Sequence, residues 1–138
     1  MTTKIINGYR IDVLFDAGTI ARRVKEMAHE VASHKPEKLL VVPVLKGSFI
    51  FAADLIRAMH HAGLSPEVDF MILASYREGT RSSGKVDVLR DIETEVKGRD
   101  VLLVDDILES GRTLAEVRGE IERSATFLDW DSEEIRRM

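Results

Sequence analysis

Val101-Leu102-Leu103-Val104-Asp105-Asp106-Ile107-Leu108-Glu109-Ser110-Gly111-Arg112-Thr113-Leu114 is the stretch on which the reading of this chain turns. Its leading run of apolar residues predicts a strand buried on both faces, the pattern of a parallel sheet. A pair of carboxylates stands where that strand leaves the sheet, and a polar turn, Glu109 to Thr113, then opens a helical segment. Ligands of open α/β sheets bind at the carboxyl ends of the strands, so Asp105 to Thr113 is the first candidate site.

The turn has the chemistry of a phosphate cradle. Gly111 lacks a Cβ, so backbone N–H groups can approach an anion closely. Ser110 and Thr113 add hydroxyl donors, Arg112 adds charge or points to solvent, and the next helix offers its unpaired N–H groups. Asp105 and Asp106 would repel a phosphate; they suit sugar hydroxyls, or Mg²⁺ bridging sugar and phosphate oxygens. A phosphorylated ribose satisfies both halves. The plainer alternative makes Ser110 a helix cap and the acids solvated loop residues. A receiver-type phosphorylation domain would carry its acidic pair after the first strand, whereas here the pair comes late in the chain.

Working outward, residues 4–15 predict an edge strand around Ile11-Asp12-Val13-Leu14, and Asp16 is placed to cap the helix that follows. Ile20, Val24, Met27, Ala28 and Val31 share one face of that helix, which Lys35-Pro36 ends. Leu39 to Leu45 reads as a central strand running into Lys46-Gly47-Ser48 and then a helix to about His60. Phe49, Ala52, Ala53, Ile56 and Met59 supply its apolar stripe. This is a second strand–loop–helix arrangement able to hold an anion, with Ser48 at the cap. As a mere connector it would need no such residues and equally would not exclude them. Val68 to Ala74 predicts the next strand, followed by a long polar segment, residues 75–85, that is either a plain surface loop or functional. The functional reading is a lid that keeps water from a reactive intermediate. Val86 to Leu89 reads as a return strand, and Leu114, Val117 and Ile121 mark a helix over about 113–123.

Composition sets outer bounds. At 138 residues, 44% hydrophobic and 32% charged, the chain suits a single α/β domain over 1–138. A net charge of −4 argues against a nucleic-acid-binding face. The absence of cysteine excludes disulfides and thiolate metal sites. No apolar run approaches the ~18 residues of a membrane span and no signal core is visible, so a cytoplasmic protein is expected.

Three ordered motifs, Leu45-Lys46-Gly47-Ser48, Ser75-Tyr76 with Ser82-Ser83-Gly84-Lys85-Val86, and Val101 to Leu114, resemble those of the type I phosphoribosyltransferases, and within them the hypoxanthine (hypoxanthine-guanine) branch. The resemblance covers about residues 4–123. It implies an open, mostly parallel sheet flanked by helices, and a Mg²⁺-dependent purine salvage reaction between phosphoribosyl pyrophosphate and hypoxanthine or guanine, giving IMP or GMP and pyrophosphate. By position, Ser110, Gly111, Arg112 and Thr113 would hold the 5-phosphate. Asp105 and Asp106 would engage the ribose hydroxyls or the metal, and Lys46 and Gly47 the pyrophosphate, after a peptide at Leu45–Lys46 that is often cis in the family. Ser75 and Tyr76 would close over the reactants. Glu109, where the family usually has aspartate, would handle the purine proton. A dimer or tetramer is implied.

The resemblance ends after Arg123. The family's next core strand, its purine-reading lysine and its C-terminal hood find no counterpart in residues 124–138, so that part of the fold is expected to be reduced. Ala125 to Trp130 reads as at most one short strand, with Phe127 and Trp130 as core, interface or base-stacking residues. Without a purine pocket the chain would be a phosphoribosyl-pyrophosphate-binding module. An RNA-binding regulator of the same family is disfavoured by the acidic balance.

Overall fold

The computed structural model of the chain describes residues 2–74, 87–107, 115, 117, 118, 121, 126 and 127. Its centre is a six-stranded sheet ordered β6-β5-β3-β7-β8, with β4 also paired to β3. The strands are β3 (Leu40–Leu45), β4 (Glu67–Val68), β5 (Met71–Ala74), β6 (Asp87–Arg90), β7 (Asp100–Val104) and β8 (Thr126–Phe127). β3 pairs in parallel with β4, β5 and β7, β7 pairs in parallel with β8, and β6 runs antiparallel to β5.

The apolar run of β7 is covered on both sides. Leu102 and Val104 join Val41 and Leu39 beneath α1 (Ala17–Ser33) and α2 (Phe49–His61), where Val24, Met27, Val31, Leu55 and Met59 complete the layer. Val101 joins Leu40, Val42 and Met71 on the opposite face, covered by Val117 and Ile121. Alternate residues of one strand thus point into separate cores, as expected of a central parallel strand. Ala115, Val117, Arg118 and Ile121 are helical. Among the described residues, no helix is long and apolar enough to cross a membrane.

Asp16 caps α1 as its sequence position suggested, accepting a hydrogen bond from Thr19 N at 2.7 Å. The backbone and hydroxyl of Thr19 hold its carboxyl below the usual range. Ile20, assigned above to the buried stripe, is 54% exposed. In α2 the stripe is rotated: Leu55 is fully buried, while Phe49 lies 59% exposed and the helix packs through Ala52, Leu55 and Met59.

Several expectations need correction. Residues 3–12 form no edge strand of the main sheet but a separate hairpin, β1 (Thr3–Ile6) and β2 (Tyr9–Asp12). Asn7 and Gly8, both at positive φ, turn it, and this dipeptide is the strongest short-range hairpin signal. The expected strand over Val68 to Ala74 is broken into β4 and β5 by Asp69 and Phe70, because the Asp69 carboxylate takes hydrogen bonds from outside the ladder. The short strand read over Ala125 to Trp130 is present as β8, which pairs with β7 through Asp100↔Thr126 and Val101↔Phe127. Trp130 lies outside the described residues.

Candidate functional site

β3, β5 and β7 are parallel neighbours, so their carboxyl ends lie at one edge of the sheet. β3 delivers Lys46 and Gly47 there, and β7 delivers Asp105 and Asp106. The β3–β7 register, Leu40↔Val101 through Pro43↔Val104, brings the two exits level. The entry to β7 is fixed as well. Asp100 N donates to Glu37 O at 3.1 Å, and Asp100 Oδ2 accepts from Glu37 N at 2.7 Å.

The two exits touch. A Cβ placed on Gly47 would overlap Oδ2 of Asp106 and stand 3.0 Å from its Cγ. Glycine is needed here for close approach rather than for an unusual φ, since Gly47 is absent from the positive-φ residues. The Leu45–Lys46 peptide is cis, as the resemblance implied. Lys46 is exposed and forms no ion pair among the described residues.

Ser48 occupies the N-cap position of α2 but does not cap it. Its buried hydroxyl instead donates to Val44 O at 2.6 Å, tying the loop back onto β3. With no side-chain cap, the first turn of α2 keeps N–H donors and the positive end of the helix dipole beside Lys46 and Gly47. An anion is suited to that end.

Asp105 is half-buried and Asp106 exposed. Asp106 N donates to Asp105 Oδ1 at 2.8 Å, which folds the pair into a compact turn. Burial, above all, pushes the Asp105 carboxyl up to about 6, and the neighbouring Asp106 side chain adds to the rise against the lowering effect of its own N–H. Such a carboxyl protonates more readily in the folded chain than in the unfolded one. The stability tied to that proton is therefore complete below about pH 4, falls as pH rises towards about 6, and is absent above. Asp105→Asn removes the effect. Urea midpoints of wild type and variant are expected to coincide near pH 4, the variant becoming the more stable by pH 7; parallel curves would contradict this. A cation at the pair would relieve the same penalty.

The carboxylates fit a hard divalent cation. They are adjacent oxygen donors, and Mg²⁺ is commonly held by one or two carboxylates with ligand phosphates completing the shell. Among the described residues no group of three or more His, Cys, Asp or Glu side chains is placed to hold a metal.

The other expected site residues, Ser75, Tyr76, Glu109, Ser110, Gly111, Arg112 and Thr113, lie outside the described residues. A polar depression of about 450 Å³, bordered by Lys38, Glu67, Lys97 and Arg99, opens at the opposite, amino-terminal edge of the sheet, away from Lys46 and Asp106. One buried polar residue that sequence reasoning passed over is Asp69, which was hidden in an apolar run.

Residues 11–123 match the phosphoribosyl transferase domain model. The hypoxanthine-guanine phosphoribosyltransferase of Aquifex aeolicus is 38% identical over 135 residues, covering 91% of this chain and 74% of that protein. That of Streptococcus pyogenes is 40% identical over 107 residues, covering 77% and 58% respectively. A solved hypoxanthine phosphoribosyltransferase of Trypanosoma cruzi, in complex with the product IMP, superposes with a TM-score of 0.74 at 32% identity, covering 83% of this chain and 66% of its own. The chain thus spans from 58% to 74% of the length of these relatives. With its parallel strand ends, its Lys46–Gly47 turn against Asp106 and this extent of matching sequence, the chain belongs to the phosphoribosyl transferase domain family, on its hypoxanthine-guanine branch.

Proposed function

We propose that this chain is a purine salvage phosphoribosyltransferase, moving the 5-phosphoribosyl group of phosphoribosyl pyrophosphate to hypoxanthine or guanine and releasing pyrophosphate. The observation that carries the reading is the contact between the two strand exits: the Asp106 carboxylate lies where a Cβ of Gly47 would be. A donor sugar has a pyrophosphate at C1 and adjacent ring hydroxyls, and these two exits offer partners for both at once.

Lys46, the Gly47 backbone and the uncapped start of α2 hold the pyrophosphate. Asp105 and Asp106 hold the ribose hydroxyls, directly or through Mg²⁺, which when bound neutralises charge on the leaving group. Ser110, Gly111, Arg112 and Thr113 take the 5-phosphate. The C1–O bond to pyrophosphate breaks, one imidazole nitrogen of the purine bonds to C1, and Glu109 accepts the proton that the other imidazole nitrogen, N7, loses. Ser75 and Tyr76 cover the reactants and keep water from C1. Electrostatic stabilisation of the departing pyrophosphate is the largest contribution expected. The Ile5, Tyr9, Leu14 and Phe15 side chains, exposed on the N-terminal segment, support self-association as a dimer or tetramer.

Incubation with phosphoribosyl pyrophosphate, Mg²⁺ and one base at a time, followed by chromatography, tests the reading. IMP from hypoxanthine and GMP from guanine are expected, and no UMP from uracil. Formation of UMP, or of no nucleotide at all, would overturn it.

Gly47→Ala should leave the fold intact, because the group it meets is the end of a side chain, but must push the Asp106 carboxylate aside. Donor binding is expected to weaken by about tenfold, the scale of one displaced charged hydrogen bond. Calorimetry of donor binding with thermal melts of the same samples checks both halves of this expectation.

A further inference from the structure

Asp69 and Ser48 are the two buried polar or charged side chains among the described residues. Both bind carbonyl oxygens of β3, the strand that ends at Lys46. The Ser48 hydroxyl donates to Val44 O, and the Asp69 backbone N–H donates to Val41 O at 3.1 Å. The Asp69 side chain goes further. Its Oδ1 accepts from Phe70 N at 2.8 Å, at the entry to β5. Its Oδ2 accepts from Glu93 N at 2.8 Å, Thr94 N at 2.9 Å and Thr94 Oγ1 at 2.8 Å, in the connection between β6 and β7. One residue therefore joins β3, β5 and the β6–β7 connection.

Ordinary strand pairing fixes β5 only weakly. Its ladder to β3 has two registered pairs, Val44↔Met71 and Leu45↔Ile72. Its ladder to β6 shifts register between Ile72 and Leu73. A slip of one residue would reverse the faces of Met71 and Ile72, so a short ladder of this kind benefits from a second tie. The second of the registered pairs with β3, Leu45↔Ile72, is the one next to Lys46, so the placement of β5 bears on the strand end from which the Lys46–Gly47 turn departs.

Burial of the Asp69 carboxylate acts to raise its pKa, yet the hydrogen bonds from Thr94, Phe70 and Glu93 outweigh burial and hold it below the usual range. The residue is thus an ionised acceptor for several donors at once. Asparagine in its place would present an amide N–H₂ to one of the same N–H donors.

We propose that Asp69 is a positioning residue for the pyrophosphate half of the site, setting β5 against the Lys46–Gly47 turn by binding Phe70 at one oxygen and Glu93 and Thr94 at the other. The inference rests on the phosphoribosyltransferase reading for the ligand that the turn takes. It assigns Asp69 no contact with that ligand. Thr94 shares the role through its hydroxyl.

Calorimetric titration of pyrophosphate and of ribose 5-phosphate, each with Mg²⁺, separates positioning from plain stabilisation. Asp69→Asn is expected to weaken pyrophosphate binding about tenfold and to leave ribose 5-phosphate binding within about twofold. Thr94→Val, a milder variant that keeps Asp69, should give a smaller loss in the same direction, and Thr94→Ser should restore binding. Equal losses for both ligands in the folded variants, or no loss for either, would overturn the proposal. Should Asp69→Asn fail to fold, the Thr94 pair decides by the same criterion. Wild type that binds pyrophosphate but makes no nucleotide would remove the transferase reading and leave the Asp69 test standing. Wild type that binds neither ligand would overturn both.

Discussion

Glu109→Gln is expected to lower kcat by about 10²- to 10⁴-fold, the usual weight of a positioned proton acceptor, while donor binding changes by no more than about threefold. The amide retains the size of the side chain but cannot take the purine proton. The loss should therefore appear in turnover and spare the step in which phosphoribosyl pyrophosphate docks. Glu109→Asp is the informative companion, since aspartate is the residue usual in the family at this point. It should retain most of the activity, with a shifted pH profile if the shorter reach alters the environment of the acid. Steady-state kinetics with hypoxanthine, run beside donor titrations, separates the two quantities. Equal falls in kcat and donor affinity would make Glu109 a structural residue.

The second large effect belongs to the acidic pair. Asp106→Asn is expected to weaken donor binding in Mg²⁺ by about 10- to 100-fold, the cost of losing a charged partner to a polar ligand. Gly47→Ala acts on the same carboxylate by displacement, since its Cβ would overlap Asp106 Oδ2. The two substitutions should therefore be less than additive: once Asp106 has lost its charge, moving it costs little more. A double-mutant cycle on donor affinity reads this coupling directly. Full additivity would mean that Gly47 matters for its own backbone and that the contact with Asp106 is incidental. Because Asp105 ionises only near pH 6, donor affinity through this pair should also fall by up to about tenfold per unit of pH below 6.

The stretch from Val101 to Asp106 was legible because its chemistry is local and double-sided. A strand buried on both faces has to be apolar throughout, and the carboxylates that end it cannot continue into a core. The same reasoning located β3 and the Lys46–Gly47 exit. Other features depended on contacts that no local pattern encodes. Asp69 interrupts an apolar run, and the donors that justify its burial come from Glu93 and Thr94, far along the chain. Ser48 has the right residue type for a helix cap, yet Val44 O competes successfully for its hydroxyl. Phe49 fits the apolar stripe of α2 by composition, but the packing with α1 and the sheet uses Leu55 instead. The Asn7-Gly8 hairpin was within reach of sequence reasoning, because the dipeptide is its own signal, and only the loose alternation around it suggested an edge strand. Glu109 and the residues of the cradle stand on the sequence motif alone.

Pyrophosphate release from phosphoribosyl pyrophosphate and Mg²⁺, followed with and without hypoxanthine, tests most directly whether these strand ends form a transferase site. Release that depends on the purine, with little in its absence, is the expected result, because C1 should react only when the base is present and water is kept out. Release at the same rate without a purine, or a bound donor that no purine can discharge, would contradict it.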